Sequence, residues 1–148
     1  MKKMLIIVMA LLLTVGAFAT TIRDIQYTTD VSGDSPLKDQ VVTVSGIVTG
    51  EPYAFGGSKM YIQDGEGPWN GIYVYLGTNI NNLVGDTVIV SEGDSVTITG
   101  TVNEYWDLSQ IKDVTAFVLD SAGVGCPAPI VVPADSLNLE KYEGCLVR

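Results

Sequence analysis

Tyr61, Gln63, Tyr73 and Tyr75 sit on two short runs, 60–63 and 71–75, either side of a polar turn. Together they could form a stacking platform. Aromatic faces take up bases without a matched hydrogen-bond pattern, at roughly 1–3 kcal/mol per base, and they take sugar rings equally well. Trp106 supplies a further ring, whereas Trp69, between Pro68 and Asn70, reads as a structural plug. Lys59 adjoins the platform and is the natural phosphate contact, with Lys112 approaching from a later strand. The plain alternative is that the tyrosines are wet-side strand residues, which β-propensity alone favours, and that the lysines are simply solvated.

Other chemistries find little support. The chain has no histidine, which removes the commonest general base and the commonest metal ligand. Asp64 and Glu66 flank Gly65, and Asp30 and Asp34 flank Gly33, but neither group fits a twelve-residue calcium loop. Both read as turn residues, with Asp64 bonding the turn backbone. Cys126 and Cys145 lack CxxC spacing, so neither metal nor redox chemistry is indicated. The sequence therefore predicts no catalytic residue, no metal and no cofactor.

The elements that must position the platform are strands. Met60, Ile62, Ile72 and Val74 alternate with the tyrosines and Gln63, the period of two that separates an inner from an outer face. The turn between them, 64–71, holds three glycines and a proline, which exclude a helix. Residues 41–49 and 95–105 read as longer strands, each with an interior glycine, Gly46 and Gly100; such glycines mark bulges or bends. Residues 108–119 return as a further strand. Residues 20–26 predict a short helix or a segment lying on the core, and 27–40 an irregular loop. A Gly-Asp-x-Val pattern occurs at Gly85 and again at Gly93, each reading as a turn leading into a strand. The prolines and glycines of 123–133 predict an extended crossing, and 134–142 a short helix capped by Asp135 or Ser136. Five β segments with no long amphipathic helix predict a five-stranded Greek-key barrel. An immunoglobulin-like sandwich is the runner-up and wants about seven strands.

The first nineteen residues predict a leader outside this fold. Lys2 and Lys3 precede an apolar run, and Ala17-Phe18-Ala19 supplies a small-x-small cleavage site. The run is shorter than the roughly 20 residues of a spanning helix, so the expectation is a signal peptide (1–19), a secreted domain (20–148) and no membrane association after cleavage. The net charge is −9 for the whole chain, and loss of Lys2 and Lys3 leaves six basic residues against 17 acidic ones. That balance opposes long-range attraction of polyanions. In an oxidising compartment Cys126 and Cys145 suggest a disulfide, with two isolated thiols as the alternative.

Four blocks in order resemble a known module. They are Ser35-Pro36-Leu37 with residues 40–49; Tyr61-Ile62-Gln63-Asp64 with residues 67–75; residues 93–105 with 108–111; and residues 139–147. The series is similar to the OB-fold domain found beside catalytic domains in bacterial extracellular nucleases, and it covers most of 20–148. Two departures are Cys145, where an apolar residue such as methionine is usual, and a longer 78–94 connection. The resemblance implies an OB-fold barrel that binds single-stranded nucleic acid without catalysis of its own. It also implies a nuclease or sorting domain elsewhere in a longer chain, since 144–148 reads as a fresh strand that stops. A carbohydrate- or protein-interaction module is the other expectation, resting on the acidic charge and the scattered cations.

Overall fold

The computed structural model describes residues 19–137 and 139–148. The leader expected over 1–19 lies outside the described residues except for Ala19. The described chain runs α1 (Ile22–Gln26), β1 (Val41–Gly50), β2 (Lys59–Gln63), β3 (Gly71–Tyr75), α2 (Asn81–Val84), β4 (Ser95–Tyr105) and β5 (Leu108–Ser121). The strands close into a barrel in the order β1-β2-β3-β5-β4, with every pairing antiparallel except β3 with β5. This is the five-stranded Greek-key arrangement of an OB-fold.

Alternation decides which side chains fill it. Met60, Ile62, Ile72 and Val74 are fully buried and meet Val44, Val48, Val96, Ile98, Val102 and Ile111 in one core. β1 pairs with β4 over Val41 to Ile47 and with β2 from Ile47 to Gly50, so one strand serves both halves of the barrel, changing partners beside Gly46. Ile22 and Ile25 of α1 close one end of the core. Asp64 holds that helix from 42 residues away by accepting the Ile22 N–H at 2.6 Å. Its carboxylate thus caps a helix start, a longer-range role than the local turn bond expected of it.

The structure corrects several local expectations. Only the second Gly-Asp-x-Val copy starts a strand: the buried Asp94 carboxylate accepts from Ser91 N–H and Gly123 N–H, both at 2.8 Å. The first copy ends α2 at Gly85 and leads into irregular chain. The helix expected over 134–142 is two separate 3-10 turns, Ala134–Ser136 and Glu140–Tyr142. The bridge between Cys126 and Cys145 does not form. Cys126 Sγ lies 3.6 Å from the Val48 carbonyl and Cys145 Sγ 3.9 Å from that of Gly67, two different places on the barrel. Burial pushes both thiols above their ordinary range, which leaves them poor nucleophiles at neutral pH.

The β4–β5 hairpin turns through Trp106 and Asp107, both with positive φ (54° and 60°). That geometry suits Asn-Gly; a tryptophan there carries the left-handed penalty of roughly 1–2 kcal/mol. Trp106→Asn combined with Asp107→Gly is expected to raise stability by about 1 kcal/mol, readable as a higher urea midpoint with an unchanged m-value. A lower midpoint would mean the Trp106 ring, stacked edge-on to Tyr105 at 6.4 Å, contributes more than its backbone costs.

Candidate functional site

The outer face of β2, β3 and β5 carries the expected platform in part. Tyr61 pairs with Tyr73 and Lys59 with Tyr75 across the hairpin. The intervening Met60 and Val74 point into the core, so these four side chains stand outward. Phe55, from the 3-10 turn Pro52–Phe55 after β1, extends the row: Phe55 meets Tyr61 at 5.7 Å and Tyr61 meets Tyr73 at 5.2 Å, both edge-on. Edge-to-face contacts of this kind fix ring orientation. Sequence reading missed Phe55 because it lies in a loop, outside any alternating run. Its only signal was the aromatic content of that loop next to the platform.

The row continues across the barrel seam. β3 meets β5 through Tyr73 opposite Gln110 and Val74 opposite Ile111, which places Lys112 next along β5, level with Tyr75. Gln110 is buried, its amide donating to Asn103 at 2.9 Å. Lys59 and Lys112 therefore flank the exposed Tyr75, and the Lys112 ammonium lies 3.7 Å from the Asp113 carboxylate. Partial burial, with the Tyr61 and Tyr75 hydroxyls nearby, holds the Tyr73 phenol above its ordinary range. The Tyr73 phenol is thus a neutral hydroxyl donor at physiological pH.

Two predicted members are elsewhere. Gln63 is fully buried, not part of an open face. Its amide nitrogen donates to the Gly65 carbonyl at 2.6 Å and its oxygen accepts the Leu146 N–H at 2.9 Å. It is a clamp for the C-terminal segment, because a buried amide must have its groups paired. Trp106, 86% exposed, crowns the β4–β5 turn, four residues along β5 from Gln110. At about 3.3 Å per residue that is roughly 13 Å away, too far to join the tyrosine row. The Trp69 ring packs edge-on against Tyr27 at 5.5 Å, and the Trp69 backbone N–H donates to the Lys141 carbonyl at 2.8 Å.

The C-terminal segment, 143–148, lies over the end of the face that Gln63 and Gly71 would otherwise expose. A Cβ on Gly71 would collide with the Gly144 carbonyl, so that glycine permits backbone-to-backbone approach. The far edge of the segment is held by Ile130 N–H to Leu146 O and Arg148 N–H to Ile130 O, both at 2.9 Å. Between it and the platform is a cleft of about 340 Å³, walled by Thr49 and Gly50, by Phe55 and Tyr61, and by Gly144 to Leu146. That volume falls within the range of small-molecule sites. A second depression of about 480 Å³, between Tyr27 and Pro36, shares no residue with the aromatic face.

No family model matches the chain, and no curated protein matches it. Among solved structures it is similar to the hypothetical protein ygiW from E. coli, at 22% identity and a TM-score of 0.41, over 55% of this chain and 76% of that one. The barrel stands on strand order and register, independently of that likeness.

Proposed function

We propose that the domain is a secreted, non-catalytic binding module whose aromatic face takes single-stranded nucleic acid, as an accessory to an extracellular nuclease. The supporting observation is the row of Phe55, Tyr61 and Tyr73 at 5–6 Å spacing, with Lys59 and Lys112 beside Tyr75. Rings present stacking surfaces to successive bases while the two ammonium groups meet phosphates. The acidic remainder of the chain keeps long-range attraction small, so the affinity rests on stacking more than on charge.

Fluorescence anisotropy with labelled oligonucleotides at low salt tests this reading. Tyr61→Ala and Tyr73→Ala are each expected to weaken binding roughly 5- to 150-fold, the range that about 1–3 kcal/mol per stacked base implies. With two phosphate contacts the logarithm of affinity falls against the logarithm of salt with a slope of about −1.4. A flat titration at high protein concentration rejects the proposal. The second reading, a sugar- or protein-interaction module, is favoured by the acidic charge and by a face with only two flanking cations. Saturable binding on a glycan array with no salt slope, and loss of it in Tyr61→Ala, would decide for a sugar ligand.

A further inference from the structure

Three carboxyl groups converge at the C-terminal segment, and among the described residues none of them is in an ion pair. Glu143 accepts the Ser109 N–H from β5 at 2.7 Å. Glu104 of β4 accepts from Ser109 Oγ at 2.7 Å and from the Ser35 N–H at 2.8 Å. Glu140 faces Glu143 from the 3-10 turn just before the segment, Asp107 of the β4–β5 turn acts on Glu140, the Gln26 amide of α1 lies against Glu143, and Lys38 acts on Glu104 from the loop before β1. The ion pairs among the described residues, Lys38 with Asp34 and Lys112 with Asp113, involve none of these groups.

Residues 143–148 are held by a few neutral contacts: Leu146 N–H on Gln63, the close pass of Gly144 over Gly71, and the backbone bonds of Leu146 and Arg148 with Ile130. We propose that residues 143–148 are a proton-operated strap over one end of the aromatic face, latched by the neutral Glu143 carboxyl and lifted when that proton is lost. A second negative charge between Glu140 and Glu104 has no ion-pair partner and is only half-exposed to water, and such a charge is costly. The strap bears on the barrel at that point, so moving it outward is the direct way to hydrate the new charge. Burial first, and then the Glu140 carboxylate, push Glu143 from 4.5 up to about 8. Release therefore belongs to mildly alkaline conditions, where it opens the cleft beside Tyr61 and frees the Gln63 amide. The inference does not rest on what the face binds.

Cys145 sits in the strap and reports its position. In the full chain, iodoacetamide alkylation of Cys145, read by peptide mass spectrometry, is compared between wild type and Glu143→Gln. The rates are expected to agree at pH 6.5 and to differ at least tenfold at pH 9.5, wild type being faster. Direct electrostatics run the other way, because removing a nearby carboxylate eases thiolate formation. Equal rates at pH 9.5, or a faster variant, overturn the proposal. Should the variant fold poorly, amide exchange on wild type decides instead. The Leu146 N–H is expected to be protected at pH 6.5 and to lose that protection at pH 9.5 while Val44 in β1 keeps its own. Protection of Leu146 equal to that of Val44 at pH 9.5, or none at pH 6.5, rejects the strap.

Discussion

Glu143→Gln is expected to stabilise the protein at pH 8 by about 2 kcal/mol and to leave it unchanged at pH 4. Because the folded-state carboxyl is pushed up from its ordinary 4.5 to about 8, the native protein holds a proton there that the unfolded chain has released. Between those values the unfolded state binds fewer protons, so stability falls as pH rises. Below 4.5 both states are protonated and the group costs nothing. At full strength the displacement corresponds to about 5 kcal/mol, and the water reaching this half-buried carboxyl screens it to roughly 2. Glutamine keeps an oxygen for the Ser109 N–H and offers N–H donors to Glu140 without ever ionising. Urea unfolding of both proteins at pH 4 and pH 8 measures the difference. A variant no more stable than its parent at pH 8 would show that the three carboxyls are hydrated after all.

Gly100→Ala is expected to destabilise by about 1–3 kcal/mol, the usual range for forcing an extra methyl into a filled core. A Cβ built there lies 2.6 Å from Ile111 Cγ2 and 2.7 Å from the Lys112 carbonyl. The second of these is backbone and cannot swing aside. Gly100 is outside the left-handed region, so the penalty is one of space alone. Gly46→Ala provides the contrast: its nearest neighbours, the Gln63 carbonyl and Ile62 Cβ, are at 3.3 Å, and a loss under 1 kcal/mol is expected. Equal midpoints for the two variants in denaturant would mean that β4 and β5 can part at no cost. Because Lys112 stands beside Tyr75, Gly100→Ala also displaces a proposed phosphate contact.

These contrasts show where the chain is legible. Period-two alternation in β1, the hairpin and β4 is a local property, and it picks out Met60, Ile62, Ile72 and Val74 as core because nothing distant overrides it. Gln63 obeys the same alternation yet is buried, since residues 144–146, some eighty positions later, cover it. Residue type alone points Trp106 to the platform, while turn geometry puts it on the hairpin tip. The Glu104, Glu140 and Glu143 group draws on two separate stretches of chain, and only folding makes it a group. The one local trace is a glutamate at the start of an otherwise apolar run, 143–147, three residues after another glutamate.

The parallel contact between β3 and β5 is short, two residue pairs long, and the aromatic face lies astride it. Tyr73 and Tyr75 stand on one lip of that joint, Gln110 and Lys112 on the other. A guest that stacks on a tyrosine while pairing with Lys112 therefore bridges the two, and occupancy of the face and integrity of the cylinder become a single thermodynamic event.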